Sequence, residues 1–272
     1  MPDWFLSTDP GYARVAPAPG GAFTPVAAFS TRRGGTSAAP WDSLNLSEGV
    51  GDRVADVRSN RSRLLGALGL DPARVAWATQ VHGAHVLVAR GPGLAGTGDA
   101  LLSSTPDLVL AVGAADCLPV LAWDVSGRAV AAAHAGWRGL VAGVIPQTLA
   151  GFARLGARPA DLEIALGPRI GPCCFVVGPD VAARFAAEFV APAGSDGGDG
   201  RDRATVDLAA AARDQLRGAG VLPGRIHDLG HCTACDPERY FSHRRDRGRT
   251  GRAWGVISLA PAGPAQAGEQ AV

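Results

Sequence analysis

Two histidines and one cysteine have the residue types and local settings of a zinc site. They lie in the segments Gln80-Val81-His82-Gly83, Ala115-Asp116-Cys117-Leu118-Pro119 and His134-Ala135-Gly136-Trp137-Arg138-Gly139. In each segment an apolar, strand-like run meets a turn that contains Gly or Pro, and strand ends are where rigid scaffolds present reactive side chains. Two imidazoles and one thiolate leave the fourth tetrahedral position of zinc open, which is typical of a catalytic site. We expect Asp116 to orient one of these ligands.

A second chemistry uses the same atoms. Cys117 can act as a nucleophile, with His82 or His134 as its general base. Zinc coordination and a neighbouring imidazole both lower the pKa of a thiol, so the residue types alone leave the two roles of Cys117 open.

The other cysteines fall into two short groups. Cys232 and Cys235 form a Cys-x-x-Cys motif that is followed by His243, and Cys173 and Cys174 are adjacent. The zinc spacing of the motif is incomplete because no second pair lies near it in the sequence, and the βαβ setting of a redox motif is missing. In a strand, the side chains of residues 173 and 174 would point to opposite faces. We therefore expect structural thiols at these positions.

Arginine must provide most of any anion binding. All 26 basic residues are Arg, so a P-loop Lys and a Lys that forms a Schiff base are both excluded. A bound phosphate must be held by Arg, by backbone N–H groups or by a metal. Arg33, Arg138 and Arg245 are the candidates, because Gly or aromatic residues lie beside or close to each of them.

The composition indicates a globular cytoplasmic protein. A net charge of +1, with 47% hydrophobic and 19% charged residues, favours binding to neither nucleic acid nor a membrane surface. No stretch approaches the ~20 apolar residues of a membrane span, and no signal peptide is recognisable. Five cysteines, an odd number, fit reduced thiols or metal ligands better than a disulfide framework. We expect a monomer.

The predicted elements alternate between strands and helices. Apolar runs predict strands at 22–31, 75–79, 86–89, 108–112, 118–123, 129–133, 162–166, 226–228 and 254–259. Helices are predicted over 52–68, 140–155, 180–189 and 204–218, the second beginning near Val144 because Pro146 fits only a first turn. No repeat or internal linker divides the chain. This favours a single α/β domain, an α+β-like layered sandwich of a mixed β-sheet and flanking helices, over 22–259. A partly flexible segment, 1–21, precedes it and a disordered tail, 260–272, follows it.

The sequence resembles the YfiH family, also called the laccase-domain or multicopper polyphenol oxidase-like family. The resemblance runs from about Phe29 to Ile257 and rests on many motifs in one order. Besides the three segments above, they include Phe29-Ser30-Thr31-Arg32 with Gly34-Gly35, Ser43-Leu44-Asn45-Leu46, Ile170-Gly171-Pro172-Cys173-Cys174-Phe175, and Phe241-Ser242-His243-Arg244-Arg245 with Thr250-Gly251-Arg252.

The resemblance implies a zinc site at His82, Cys117 and His134, with copper as the alternative metal. It implies purine nucleoside phosphorylase activity on adenosine, inosine, guanosine and methylthioadenosine, together with adenosine deaminase activity. The expected partners are therefore a nucleoside and phosphate, and Asn45 joins the three Arg candidates at their binding site. The implied fold is similar to the catalytic domain of cytotoxic necrotising factor.

Three alternatives stay open. A Cys–His amidase could edit peptidoglycan precursors, as is proposed for a relative in the family. A copper-dependent polyphenol oxidase, or laccase, would need several copper ions and clustered His-x-His pairs, whereas the six histidines here are scattered. A non-catalytic binding protein would require the grouping of His82, Cys117 and His134 to be incidental.

Overall fold

The computed structural model of the chain describes residues 4–16, 23–193, 203–261 and 269–271. The strands in these ranges are β1 Trp4–Thr8, β2 Gly11–Val15, β3 Pro25–Ser30, β4 Val75–Thr79, β5 Val86–Val88, β6 Gly93–Thr97, β7 Ala100–Ser103, β8 Val109–Ala114, β9 Leu118–Asp124, β10 Val130–Ala135, β11 Leu162–Leu166, β12 Val176–Val177, β13 Val190–Pro192, β14 Ala204–Val206, β15 Ile226–Asp228, β16 Ala253–Pro261 and β17 Gln270–Ala271. The α-helices are α1 Val54–Ala67, α2 Trp137–Val141, α3 Val144–Arg154, α4 Pro179–Ala182 and α5 Leu208–Gly218.

Two large sheets contain most of the strands. Their strand orders are β17-β1-β2-β3-β16-β8-β4-β6 and β15-β11-β9-β10-β7-β5, and a small third sheet has the order β12-β14-β13. Strand directions are mixed, since β4 runs parallel to β8 whereas β9 runs antiparallel to β10. The predicted α/β architecture is therefore confirmed, with three sheets where the sequence indicated one.

The two large sheets pack face to face, and helices cover their outer faces. Side chains from alternate positions of β9 and β10 define this layering. Leu121, Trp123, Val130 and Ala132 face the eight-stranded sheet, whereas Val120, Ala122, Ala131 and Ala133 face α3 and α5. On the other side of the molecule, α1 packs on the eight-stranded sheet. Because their sheet is covered on both faces, β9 and β10 are buried along their whole length, and the layers form one domain.

The eight-stranded sheet extends beyond the predicted domain bounds. β1 and β2 lie within the segment that was predicted to be partly flexible, and β2 pairs with β3. β17 lies within the predicted tail and pairs with β1, beside the buried ion pair of Arg14 and Glu269. The domain bounds 22–259 stay a prediction. Residues 1–3, 17–21, 262–268 and 272 of the two terminal segments lie outside the described residues, so their predicted flexibility also stays a prediction.

Three of the four predicted helices form. α1 agrees with its prediction, and α3 begins at Val144, so that Pro146 occupies its first turn. α5 begins only at Leu208, because β-branched residues of 204–206 pair with β12 and β13 and the Asp207 side chain caps the helix. None of the described helices has the length and apolar character needed to cross a membrane.

The helix predicted over 180–189 is wrong beyond its first turn. α4 ends at Ala182, and two tight turns then carry the chain onward, with hydrogen bonds from Arg184 N–H to the Val181 carbonyl and from Phe185 N–H to the Ala182 carbonyl. These turns let Phe185 pack against the core beneath the six-stranded sheet. Tertiary packing here outweighs the helix propensity of an Ala-rich segment.

Candidate metal centre

The strand pairing brings three chain segments to one edge of the sandwich. β4 and β8 are parallel neighbours, so the residues that follow both strands lie at the same edge. The chain turns after β8 at Cys117 and enters β9, where Leu118 pairs with Ala135 at the end of β10. Residues that follow β4, precede β9 and end β10 therefore converge, although more than 30 residues separate His82 from Cys117 in the chain.

The predicted trio is brought together at this edge. The ligand atoms of His82, Cys117 and His134 all lie within 4.8 Å of one another. The two imidazole rings stand edge to face with their centroids 4.9 Å apart. His134 is buried, Cys117 is half-buried and His82 is exposed, so the group opens toward solvent on the His82 side. The three side chains are therefore close enough together to bind one metal ion, as the three-ligand hypothesis requires.

Asp99 positions two of the three side chains. Its buried carboxylate lies 2.9 Å from His134 Nδ1 and accepts hydrogen bonds from the backbone N–H groups of Val81, His82 and Gly83. These bonds fix the turn in which His82 adopts a positive φ of 59°. Because Nδ1 of His134 is held by Asp99, its Nε2 is directed toward Cys117.

Asp99 was missed by the sequence reasoning. It follows Gly98 directly before the buried strand β7, and a carboxylate that is only 1% exposed needs several donors. In the sequence, a Gly-Asp pair directly before an apolar run could have indicated a buried carboxylate at Asp99. It could not indicate which groups would donate hydrogen bonds to that carboxylate.

Gly136 lets the backbone approach the trio closely. A Cβ atom at this position would stand 2.9 Å from Cys117 Sγ and 3.2 Å from His82 Cδ2. Both distances are shorter than ordinary van der Waals contact, so a side chain here would displace one of the candidate ligands.

Hydrogen bonding shifts the pKa values of Cys117, His134 and Asp99. Burial raises the pKa of the Cys117 thiol, but hydrogen bonds from His134 and His82 outweigh burial and lower it to about 6. Burial lowers the pKa of His134, but its bonds to Asp99 and Cys117 prevail and raise it to about 9. Burial raises the pKa of Asp99 as well, yet the His134 bond and backbone N–H groups hold it below its usual value. Both shifts favour a Cys117 thiolate beside a His134 imidazolium in the protein without a bound metal.

The donor set fits a single zinc ion. Tetrahedral zinc with Zn–S of about 2.3 Å and Zn–N of about 2.0–2.1 Å requires ligand atoms roughly 3.3–3.7 Å apart, and the trio lies within the range that a small adjustment would close. The Asp99–His134 pair is the carboxylate–histidine arrangement that orients zinc ligands. The exposed side of His82 leaves room for a fourth ligand.

Asp116 does not orient the trio, so that expectation is wrong. Its carboxylate accepts hydrogen bonds from Thr233 Oγ1 and from the Arg244 backbone N–H, both at 2.6 Å. Its carbonyl accepts one from Ile170 N–H at 2.9 Å. Asp116, whose own φ is 86°, instead ties the turn before Cys117 to the segments that contain Ile170, Thr233 and Arg244.

The predicted phosphate-binding residues have different surroundings. Asn45 is fully buried, and its side-chain N–H groups donate to the Ser47 carbonyl and the Asp52 carboxylate. The Arg245 guanidinium pairs with Asp246 and also donates to two backbone carbonyl groups. The polar atoms of both side chains are thus engaged within the protein, and their contact with phosphate stays a prediction.

The other two Arg candidates are exposed. Arg33 pairs with Glu238 at 3.2 Å, in a surface groove that also contains Arg32 and Asp42. Arg138 stacks on the Trp137 ring, with its guanidinium carbon 4.4 Å from the ring centroid. Arg138 is two residues from Gly136, whose backbone approaches Cys117 and His82, so among the candidates it is close in the chain to the trio.

Arg252 is a further cation near the trio. Burial lowers the pKa of its guanidinium, and the charges of Cys117 and Asp116 oppose that shift, which places Arg252 within electrostatic range of the candidate ligands. Its guanidinium donates to the carbonyl groups of Thr250 and Gly251 and lies 3.4 Å from His243 Nδ1. The Thr250-Gly251-Arg252 motif was the sequence signal for it.

A family profile and several relatives match nearly the whole chain. The profile, described as multi-copper polyphenol oxidoreductase laccase, matches residues 26–260. A Deinococcus radiodurans protein named purine nucleoside phosphorylase is 43% identical over 243 residues, which is 89% of this chain and 92% of that protein. The Escherichia coli purine nucleoside phosphorylase YfiH is 43% identical over 234 residues, covering 86% and 93% of the two chains.

A solved structure has a similar fold. The crystal structure of YlmD from Geobacillus stearothermophilus superposes with a TM-score of 0.85 at 33% identity and covers 94% of this chain and 99% of that chain. The likeness to the cytotoxic necrotising factor domain stays a prediction.

Proposed function

The chain belongs to the laccase-domain family that includes YfiH, and we propose that it is a zinc-dependent purine nucleoside phosphorylase. Its substrates would be adenosine, inosine, guanosine and methylthioadenosine, with phosphate as the second substrate and with adenosine deaminase activity at the same site. The convergence of His82, Cys117 and His134 around one point carries the proposal. The names of the relatives supply the reaction class.

Phosphorolysis exchanges one bond at the ribose for another. A phosphate oxygen forms a bond to C1′ while the C1′–N9 bond breaks, and the purine leaves with the bonding electrons and takes up a proton. A zinc ion held by the trio would supply Lewis-acid stabilisation of developing negative charge and would lower the pKa of a coordinated water.

The side chains of this protein have separate tasks in that reaction. Asp99 keeps His134 oriented and fixes the turn that carries His82. Arg138 and Arg252 would hold phosphate through charge-assisted hydrogen bonds; the exposure of Arg138 and the electrostatic range between Arg252 and Cys117 support this assignment. The thiolate of Cys117 offers a charged ligand without needing an additional proton acceptor at neutral pH.

The test is a product assay with and without phosphate. Purified protein is incubated with adenosine or inosine, and free purine base, ribose 1-phosphate and inosine are quantified by liquid chromatography. We expect ribose 1-phosphate only when phosphate is present, and inosine from adenosine in either condition. Cys117→Ala should lose about 10³-fold in kcat/KM, because the Lewis-acid contribution is several kcal/mol.

His85→Ala is the matched control. His85 is an exposed histidine three positions after His82, and it is not a member of the ligand group. Its replacement should leave the rate unchanged. A wild-type rate no higher than that of Cys117→Ala with every nucleoside would contradict the proposed function.

A second candidate is a Cys–His amidase that acts on a peptidoglycan precursor. Cys117, His134 and Asp99 form the nucleophile, base and orienting carboxylate of such an enzyme, and the lowered pKa of Cys117, about 6, favours its thiolate. Incubation with a precursor peptide and intact-mass measurement discriminates the two, since only the amidase accumulates an acyl adduct on Cys117. A zinc ion that is present in the wild-type protein and lost in Cys117→Ser, without such an adduct, would exclude it.

A copper oxidase is less well supported. In the described part of the chain, His82 and His134 are the only two histidines that share a group of candidate metal ligands. His227 pairs with Glu163, and His231 pairs with Tyr240. This arrangement offers too few imidazoles for a cluster of several copper ions. A monomeric state and a cytoplasmic location stay predictions.

A further inference from the structure

Four cysteines from two distant segments meet at the surface. The sulfur atoms of Cys173, Cys174, Cys232 and Cys235 all lie within 4.8 Å of one another. Cys235 Sγ stands 3.5 Å from Cys173 Sγ and 3.4 Å from Cys174 Sγ, and all four are free thiols. We call this group the tetrathiol cluster.

Two turns carry the cluster, and one backbone bridge joins them. Arg169 and Cys232 form an isolated parallel bridge, in which Arg169 N–H donates to the His231 carbonyl and Thr233 N–H donates to the Arg169 carbonyl. Cys173 and Cys174 lie in a turn closed by hydrogen bonds to the Gly171 carbonyl. Residues 173 and 174 are therefore not in a strand that directs their side chains to opposite faces. They are the second cysteine pair that the Cys-x-x-Cys motif lacked in its own part of the sequence.

The backbone around Gly171 is shaped to the sulfur atoms. Its N–H donates to Cys232 Sγ at 3.2 Å, an interaction that favours a thiolate. A Cβ atom on Gly171 would stand 3.2 Å from Cys173 Sγ and 3.5 Å from Cys232 Sγ. A side chain at this position would therefore lie in close contact with both sulfur atoms and would require a small shift of Cys173 Sγ.

The donor set selects the metal. Four thiolates around tetrahedral zinc, with Zn–S of about 2.3 Å, would have sulfur atoms about 3.8 Å apart, close to the separations in the cluster. A disulfide requires an S–S distance of about 2.0 Å, which is much shorter than the separations here. The thiolates that hold a cluster of several iron ions are further apart than those around one ion. A soft, tetrahedral, all-sulfur set is the type that binds a structural zinc ion and leaves no position for a reactant.

We propose that Cys173, Cys174, Cys232 and Cys235 bind a second, structural zinc ion. The ion crosslinks the two turns that hold Asp116, because Ile170 and Thr233 flank the cysteines in sequence and both donate hydrogen bonds to Asp116. Asp116 directly precedes Cys117. The crosslink thus braces the backbone that leads into Cys117 without contacting the three candidate ligands. This inference does not depend on the proposed function.

The test counts zinc ions on the full chain. Protein purified with a reducing agent and without chelator is examined by native mass spectrometry and elemental analysis. We expect two zinc ions per wild-type chain. Cys235→Ser and Cys117→Ser should each retain one ion, and the double variant should retain none. Cys235 is exposed, so its replacement removes no core contact.

Cobalt identifies the site that remains. In the Cys117→Ser background, substituted Co²⁺ should show the intense thiolate charge-transfer absorption of a tetrahedral all-sulfur site, and adding Cys235→Ser should abolish it. X-ray absorption at the zinc edge of the wild-type protein gives the sulfur-to-nitrogen ratio without any variant. One ion per wild-type chain that Cys235→Ser leaves in place, or disulfides among the four cysteines in freshly reduced protein, would overturn the proposal.

Discussion

The trio and the tetrathiol cluster are both candidate metal centres, but different parts of the fold build them. The trio projects from the ends of long-range strand ladders, and a buried carboxylate holds it from behind. The tetrathiol cluster lies on two surface turns that a single backbone bridge joins. Its members are exposed or half-buried, whereas His134 is 3% exposed.

The trio and the tetrathiol cluster also differ in the atoms that they offer to a metal ion. Two nitrogens and one sulfur leave a coordination position free and a ring exposed to solvent, so the trio can admit a reactant. Four sulfurs complete a tetrahedron, so the tetrathiol cluster can only hold the chain together. One centre should therefore control the rate of reaction and the other the free energy of unfolding.

Thiol reactivity in metal-free protein should separate the two centres most strongly. Hydrogen bonds lower the pKa of Cys117 to about 6, whereas burial and the neighbouring thiols raise the pKa of Cys173 to about 11. At pH 7 a thiol of pKa 6 is about 90% ionised and one of pKa 11 about 0.01%. The lower nucleophilicity of the low-pKa thiolate offsets about two of these four powers of ten, so Cys117 should be alkylated roughly 100-fold faster than Cys173. Because only the thiolate reacts, the Cys117 rate should fall as pH decreases through about 6 and level off above pH 7.

Peptide-resolved mass spectrometry of iodoacetamide labelling measures both rates. His134→Asn should move the Cys117 midpoint toward that of an ordinary thiol. A wild-type midpoint near 9 would show that the imidazoles do not stabilise the thiolate.

Asp99→Asn should weaken the trio while the tetrathiol cluster stays intact. The change removes the charge that orients His134, and loss of such a partner typically lowers metal affinity or activity about 10–100-fold. We expect kcat/KM and zinc retention against a competing chelator to fall together. Asp107→Asn is the control, since Asp107 is an exposed aspartate that belongs to neither group of candidate metal ligands. An effect on the Asp107 variant of the same size would indicate a general loss of stability.

Two glycine substitutions compare the rigidity of the centres. Gly136→Ala would place a Cβ 2.9 Å from Cys117 Sγ, whereas Gly171→Ala would place one 3.2 Å from Cys173 Sγ. The trio is tightly packed and the thiols are exposed, so Gly136→Ala should lower activity about tenfold and Gly171→Ala should change it little. Activity and zinc content are measured for both. Equal activity losses would mean that the two centres are not independent.

Cys235→Ser should show the smallest effect on catalysis and a clear effect on stability. Loss of the crosslink between the two turns should lower Tm by on the order of 5 °C, since a metal that binds only the folded chain contributes its binding free energy to stability. kcat/KM should change less than about threefold if bracing is its only role. Differential scanning calorimetry with and without added zinc measures the shift. A Tm that does not depend on zinc in the wild-type protein would contradict the comparison.

The reactive residues were predicted better than the residues that position them. His82, Cys117 and His134 follow apolar runs that must be strands, so their places at strand ends could be inferred locally. Asp99 could not, because its role depends on donors from residues 81–83 and from His134. The pairing of β7 with β10 brings His134 to it, and the pairing of β4 with β6 brings the turn at 81–83. Asp116 was predicted to orient a candidate ligand because it is next to Cys117 in the sequence. Since Asp116 itself has a positive φ, its side chain is directed elsewhere.

The sequence by itself determined the family, the alternation of strands and helices, and the identity of the trio, because hydrophobic periodicity and residue type are local properties. The tertiary structure alone decided that the chain forms two stacked sheets, that Asp99 holds the trio, and that Cys173 and Cys174 meet Cys232 and Cys235. These outcomes depend on contacts between residues far apart in the chain. Such contacts form only when the free energy of packing the whole core offsets the entropy lost in closing the long loops between them.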